Sequence, residues 1–584
     1  MSNPPRKYAT VSTMASRPAS RGRGKFSRLC IGVGGAIFVT VLVIVILLAT
    51  NVIGPGASAE SGSGSGSGSG NLPLASPEVN CAKTHKPHIV IFYADDQGYG
   101  DRQKYSPEYV RMPNYEKVAE SGIDFTDGHT GSGVCSPSRF ALLTGEYFFR
   151  YSSDRNAIGS NGHTYMMDAA DTLPRMLKRA GYKTYMSGKW HLGFDVNDDD
   201  LTQPLRGGPV DAGFDKFFGI PASMDYGRLS YIYNDTYRQP PTYWSDRWNE
   251  LIWSCPTNTS SCHTWGIRTC DKAVSGECVK GGYHYPNAGG YGKANRKKNG
   301  GSWDLSIGQD FEPNLCLSNI THQAIQYIDD HMNQYGNDKP FFLYMPVNSP
   351  HKPHVPHPDF DGKSGLGSYV DFLEETDFRL GQIMDTLDRW DIADNTLLMV
   401  SSDNGPESKE MFYDSMKMMS AYIYNEDKRS LFEGGHRVPF MMRWPNVIPR
   451  GRTVSHAVSQ VDIMSTFTQM TGSYLAPKGG ADSFSFWQAV CDPDGATDAQ
   501  VRDLQPLISE VPEKVSGKGP GVGIRCGSDK ILADSKGWHM FDIDADPREL
   551  TNVADQRKTR FNELKSLLTE VVNNGFSSKT NVCI

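Results

Sequence analysis

Three short apolar runs, each ending abruptly in a cluster of polar residues, constrain this chain more than any other feature. Ile89-Val-Ile-Phe-Tyr93, Phe341-Phe-Leu-Tyr-Met345 and Thr396-Leu-Leu-Met-Val400 show no alternation of polar and apolar positions. A strand with one wet face alternates; a run apolar throughout fits a strand buried on both faces, as inside a parallel sheet. Helical patterns lie between the runs. Leu173, Met176, Leu177 and Ala180 share one helix face, with Asp171 placed to cap it and Gly181 to end it, before a further strand at Thr184-Tyr-Met186. Phe372, Leu373, Leu380, Ile383, Met384 and Leu387 mark the apolar face of a helix over 369–387. Strands alternating with helices predict an α/β domain over about 86–450, with a mostly parallel or mixed sheet flanked by helices. Residues 235–315 read as a loop-rich insertion. Strand-like segments Lys530–Ala533 and Trp538–Asp542, the turn Asp546-Pro547 and a helix at about 556–573 predict a smaller C-terminal α+β subdomain over 451–584.

The N-terminus bears on compartment. Residues 1–29 hold seven cations and no acid, and residues 30–50 carry no charge. At 1.5 Å per residue this stretch spans a hydrocarbon core of ~30 Å. The positive flank keeps the tail at 1–29 cytoplasmic, so the expectation is a single-pass signal anchor with a lumenal or extracellular catalytic region. A signal peptide cleaved near Ala57-Ser58-Ala59, which would release a secreted protein, is the other reading. Residues 51–85 include the Ser-Gly repeat Ser61–Gly70, a flexible stalk.

In that setting cysteines are expected to pair. Of 11 cysteines, Cys30 falls in the apolar stretch. Cys255, Cys262, Cys270 and Cys278 cluster in the insertion, where disulfides are expected and a zinc cluster is the sharper alternative. Sequons at Asn234, Asn258 and Asn319 fit a secretory route. Lys plus Arg is 59 against 66 Asp plus Glu, a formal charge of -7. A nucleic-acid binder would show a basic excess, so that class is excluded. An anionic substrate must instead be met by a few placed cations.

The polar clusters gather where the strands end, the place where open α/β sheets bind ligands. Asp95 and Asp96 follow the first run, and Asp403 and Asn404 follow Val400. Three acids and an amide offer only oxygen donors, suited to a hard cation such as Ca²⁺ or Mg²⁺. Strand Thr184–Met186 leads into Gly188-Lys189-Trp190-His191, and strand Phe341–Met345 leads into Pro350-His351-Lys352-Pro353. In Gly131-Ser-Gly-Val-Cys135-Ser-Pro-Ser-Arg139, Pro137 suits the first turn of a helix continuing to about Thr144. Cys135 would then lie at a helix N-terminus, which favours anions. Read from the residues alone it is either a nucleophile aimed at an anionic ester or one more disulfide cysteine.

Cys135-Ser-Pro-Ser-Arg139 with Leu143-Thr-Gly145, and Gly181-Tyr-Lys-Thr184 with Gly188-Lys-Trp-His-Leu-Gly193, resemble the two signatures of the type I sulfatases. Asp95-Asp96, Asp403-Asn-Gly405, Lys428 and Glu433-Gly-Gly-His-Arg-Val-Pro439 match further blocks in order. The resemblance runs from about residue 86 to the C-terminus and implies an alkaline-phosphatase-like sulfatase fold. It implies that a formylglycine-generating enzyme converts Cys135 to Cα-formylglycine, whose gem-diol binds one Ca²⁺ per chain. By position, Asp95, Asp96, Asp403 and Asn404 would ligate that ion, with modified Cys135 and the sulfate. One hydroxyl of residue 135 would attack sulfur, and the second would lose its proton as sulfate departs. Lys189 and Lys428 would neutralise the sulfuryl oxygens, Arg139 would hold the diol, His191 would accept its proton and His351 would protonate the leaving oxygen. His354-Val-Pro356 repeats the His-x-Pro pattern of His351-Lys-Pro353; the nearer strand end favours His351.

The implied substrate is an aryl sulfate or a sulfated glycan. A phosphoester or phosphonate hydrolase of the same superfamily is one alternative, and a glycan-binding protein that never modifies Cys135 is another. Lys293, Arg296, Lys297 and Lys298 in the insertion could grip a polyanion or form a solvated loop. Trp244, Trp248 and Trp253 could stack on sugars or pack in the core.

Overall fold

A ten-stranded mixed sheet organises the chain. The computed structural model describes residues 81–196, 200–226, 228–241, 308, 310–407, 419–496, 502, 505–512, 521–574 and 583, with the backbone of 273–274 and 277–278. All lie in one compact unit, Leu74–Ile584. The expected anchor at 30–50, nearly all of the stalk, the side chains of the insertion's cysteines, its basic run and its three tryptophans fall outside the described residues. Among the described residues no helix is long and apolar enough to cross a membrane.

The strands of the large sheet are β1 (His88–Asp95), β2 (Ile123–Phe125), β3 (Lys183–Lys189), β4 (Lys216–Ile220), β5 (Ile232–Tyr233), β6 (Thr236–Tyr237), β7 (Phe341–Pro350), β8 (Thr396–Ser402), β9 (Phe440–Arg443) and β10 (Arg452–Val454). Their spatial order is β10-β2-β9-β8-β1-β7-β3-β4-β5-β6. The five central strands β8, β1, β7, β3 and β4 are mutually parallel, and the antiparallel pairs lie outside them.

The apolar runs are buried on both faces. Ile89, Ile91 and Tyr93 enter one core with α2 (Cys135–Thr144), α3 (Leu173–Arg179), α7 (Ile463–Thr471) and α8 (Trp487–Cys491). Val90 and Phe92 point the other way, against α1 (Pro113–Glu120), α4 (Cys316–Tyr335) and α5 (Ser368–Arg389). Period-two alternation thus feeds two cores at once. Each such side chain contributes about 1.5–3 kcal/mol on burial, and truncating Phe92 to Ala would cost about 3–5 kcal/mol. The apolar face read over 369–387 lies wholly in the second core.

The C-terminal part holds the antiparallel sheet β11 (Leu507–Glu510), β12 (Val522–Cys526), β13 (Asp529–Asp534) and β14 (Gly537–Asp542), covered by α9 (Lys558–Asn574). Ala141 of α2 and nearby Tyr147 pack in the same cluster. The large sheet extends past residue 450, because β10 still pairs with β2.

Several local expectations change. The cap of α3 is Thr172, whose hydroxyl accepts from Arg175 N at 3.4 Å; Asp171 instead accepts from Thr172 N and pairs with Arg179. Strands β1, β3, β7 and β8 run further than their apolar runs, so Asp95, Lys189 and Ser402 are strand residues. Cys81 is bonded to Cys491 and Cys526 to Cys583. Cys316, expected to pair, is a buried free thiol. The Asn319 side-chain amide donates to the Tyr231 hydroxyl at 2.9 Å, so this sequon's nitrogen is engaged.

Candidate active site

Parallel pairing sets the site. Ala94 of β1 lies opposite Ser402 of β8, so the residues just beyond meet side by side. Asp403 N donates to Ala94 O at 3.1 Å, and Asp96 N donates to Asp403 Oδ1 at 3.1 Å. Asp96 takes a left-handed backbone (φ 63), which a short polar side chain tolerates. Asn404 Nδ2 donates to Asp96 Oδ1 at 2.7 Å. All four residues are buried.

Two lysines reach this group from different directions. Lys189 ends β3 and places Nζ 2.6 Å from Asp95 Oδ2. The last rungs of β3 depend on Gly188 at φ 144, where a Cβ would lie 2.0 Å from Pro346 O of β7. Lys428, in the loop before the short helix α6 (Glu433–His436), donates to Asp96 Oδ2 at 2.6 Å. Arg139 on α2 uses Nε and Nη2 on Asp403 Oδ2 and Nη1 on Lys189 O, with Asp95 Oδ1 3.5 Å from Nη2.

Cys135 opens α2, after Val134 in extended conformation. Ser132 and Ser136 hold this end: Ser132 Oγ donates to Glu510 O at 2.7 Å and Ser136 Oγ to His191 O at 2.6 Å. Gly145 at φ 70 closes the helix. The Cys135 thiol is free, and burial pushes it up to about 11, against the pull of Lys189 and Lys428. At neutral pH it is therefore a thiol, not a thiolate, despite two cations and a helix N-terminus.

Burial would raise Asp95, but Lys189, His351 and Arg139 hold it well below the usual carboxylate range. Burial pushes Asp403 up to about 6, against Arg139 and with Asp95 adding to the rise. Asp95 Oδ1 and Asn404 Oδ1 are buried with no hydrogen-bond partner. Two orphaned oxygens within a set of oxygen donors fit a hard divalent cation. Ligand atoms of Asp95, Asp96 and His351 lie within 4.8 Å of one another. Three acids here already balance three cations, so a divalent ion would leave the pocket net positive, as an anionic ester requires. His129, Glu433 and His436 form a second close group, but its one acid, Glu433, is already paired with Lys530 at 2.8 Å and Arg437 at 3.1 Å.

The histidines divide. His191 is buried at φ 57 with neither ring nitrogen hydrogen-bonded, and Tyr226 lies edge-on at 5.0 Å. Burial, then Lys189 and Arg139, keep it well below its ordinary value, so it is neutral. His351 follows the end of β7; its Nε2 faces Asp96 Oδ2 and Ser223 Oγ, each at 3.5 Å. His354 instead packs edge-on to Tyr369 at 5.1 Å, and burial lowers it to about 3.

Sequence reasoning missed Glu407, Ser223 and Tyr226. Glu407 is buried between Lys352, Lys428 and Arg429. Its signal was its place three residues past Asn404; Ser223 and Tyr226 carried none. A cavity of about 370 Å³ opens beside Lys428, lined by Glu407, Arg429, Phe432 and, from the β13–β14 turn, Asp534 and Ser535.

The Sulfatase family model matches residues 87–473, well over half the chain. The N-acetylgalactosamine-6-O-sulfatase of Bacteroides thetaiotaomicron is 29% identical over 506 residues, covering 84% of this chain and 94% of that protein. The steryl-sulfatase of Rattus norvegicus is 28% identical over 418 residues, 67% of each chain. A solved Bacteroides thetaiotaomicron protein, from a locus for metabolism of multiple glycosaminoglycans, superposes with a TM-score of 0.67. It is 26% identical, and the match covers 84% of this chain and 100% of that one. Strand-end acids, a buried helical cysteine and two lysines thus coincide with a family match across the catalytic unit: the chain belongs to the sulfatase family of the alkaline-phosphatase-like superfamily, whose members are sulfuric ester hydrolases.

Proposed function

We propose that the protein hydrolyses sulfate esters of glycans, with Cys135 converted to Cα-formylglycine and one Ca²⁺ held by Asp95, Asp96, Asp403 and Asn404. The observation that carries this is the convergence of two adjacent strand ends, rich in oxygen donors, on a buried helical cysteine between two lysines. When present, the ion and the hydrated aldehyde would supply fixed positive charge and a hydroxyl nucleophile.

The chain's own residues do the rest. Lys189 and Lys428 face charge that grows on the sulfuryl oxygens, in a dry pocket where such contacts are strong. Arg139 fixes Asp403 by two hydrogen bonds. His191, neutral and unpartnered, takes a proton from residue 135. His351 gives one to the ester oxygen as the S–O bond breaks, so the alcohol leaves uncharged. Residues 30–50 would anchor the unit with its site on the lumenal or extracellular side, where a formylglycine-generating enzyme can act on the nascent chain.

The relative that covers most of the chain supplies the first substrate to try, a 6-O-sulfated N-acetylgalactosamine unit. Protein made in a eukaryotic secretory pathway should release inorganic sulfate from it, and Cys135→Ala should not. Faster turnover of a matched phosphate or phosphonate ester, or binding without turnover, would contradict the proposal.

A further inference from the structure

We propose that Glu407 is a positioning residue that locks His351 and Lys428 into one unit and so sets how well esters of weakly acidic alcohols are cleaved. This rests on the sulfatase reading above. Glu407 is buried, with Oε2 3.1 Å from Lys352 Nζ and 3.8 Å from Lys428 Nζ, while Oε1 pairs with Arg429 Nη1. Burial alone would raise this carboxyl, but the three cations hold it well below the usual range, so it stays charged. Lys428 is thus held from two sides, by Asp96 at 2.6 Å and by Glu407.

Lys352 is the second link. It directly follows His351, and its carbonyl oxygen lies 2.5 Å from His351 Nδ1. Donation from Nδ1 to that carbonyl leaves Nε2 as the nitrogen that faces the site, towards Asp96 and Ser223. Glu407 pins the lysine whose own backbone orients the imidazole. Without the carboxylate, buried Lys428 and the partly exposed Lys352 and Arg429 lose their shared counter-charge, and the Lys352 segment is released from Lys428.

The consequence depends on the leaving group. An alkoxide leaving from a sugar is strongly basic and needs a proton as the S–O bond breaks; a nitrophenolate does not. The bond electrons stay on the departing oxygen; His351, entering the step with a proton on each ring nitrogen, gives the Nε2 proton to that oxygen and is left with Nδ1–H on the Lys352 carbonyl.

The test compares kcat and KM of wild type, Glu407→Gln and Lys352→Met on N-acetylgalactosamine 6-sulfate and on 4-nitrophenyl sulfate. Glu407→Gln should lower kcat on the sugar sulfate by about 10²-fold and on the aryl sulfate by less than tenfold, with KM little changed. Lys352→Met should show the same asymmetry and keeps the test open if Glu407→Gln does not fold. Equal losses on both esters, or none on either, would overturn the proposal, because a merely structural role has no leaving-group dependence. Wild-type protein that turns over neither ester overturns the sulfatase reading and this inference with it.

Discussion

Arg139 donates from Nε and Nη2 to one oxygen, Oδ2 of Asp403, at 2.9 and 2.7 Å, and both residues are buried. This pair ties the helix that presents Cys135 to the strand end that presents Asp403. Removing one partner of a buried pair strands the other's charge, at a cost of about 3–5 kcal/mol. Arg139→Ala should therefore lower stability by that order in urea unfolding and abolish sulfate release. Arg139→Lys should recover part of the stability and little activity, since a point charge cannot reproduce the two-donor contact.

Lys189, from a strand end, and Lys428, from a loop, pair with Asp95 and Asp96 respectively, each at 2.6 Å. If both face charge that develops on the sulfuryl group, replacing either with Ala should lower kcat/KM by about 10²–10³-fold. Steady-state kinetics on soluble, folded variants measures this. An effect confined to stability would assign the lysines a structural role only.

His351 and His354 stand three residues apart and meet different surroundings. His351 Nε2 faces Asp96, whereas His354 packs on Tyr369. His351→Ala should cost about 10²–10⁴-fold in turnover of a sugar sulfate. His354→Ala should cost stability and leave turnover per folded molecule within a few-fold. The reverse ranking would put the acid at His354.

Glu510 gives a pH signature of its own. Its carboxylate accepts from Phe148 N at 2.8 Å, and burial pushes it up to about 8 from an ordinary value of 4.5. The raised acid binds its proton more tightly in the folded state, so its contribution is full below pH 4.5 and fades as pH rises through about 8. Wild type should lose melting temperature between pH 5 and 8 more steeply than Glu510→Gln, whose amide mimics the protonated acid. Identical slopes would refute this.

The donor set of Asp95, Asp96, Asp403 and Asn404 predicts a metal-linked stability. Dialysis against a calcium chelator should lower both melting temperature and activity, and Ca²⁺ should restore them better than Mg²⁺, which dehydrates reluctantly. At 100-fold above its dissociation constant the ion would add about 2.7 kcal/mol. A melting temperature indifferent to chelator and Ca²⁺ would argue against the site.

Much of this fold was legible because the apolar runs had nowhere to go except between two helical layers. Ile89, Ile91 and Tyr93 face one core, Val90 and Phe92 the other. Strand lengths were less legible. Apolar pattern stops at Tyr93, Met186 and Val400, yet backbone pairing continues into Asp95, Lys189 and Ser402, because functional polar residues ride on the last rungs of the sheet. The cap at Thr172 could not be told from Asp171, since adjacent oxygen-bearing side chains compete for the same amide nitrogens. Ser223 and Tyr226 reach the site through tertiary packing alone. The pairing of Cys81 with Cys491 joins residues 410 apart, which no local pattern encodes.

The most direct measurement is the mass of the peptide carrying Cys135, from protein that releases sulfate. The account predicts the mass of formylglycine or its hydrate at that position. An unmodified thiol at residue 135 in protein that hydrolyses sulfate esters would contradict it.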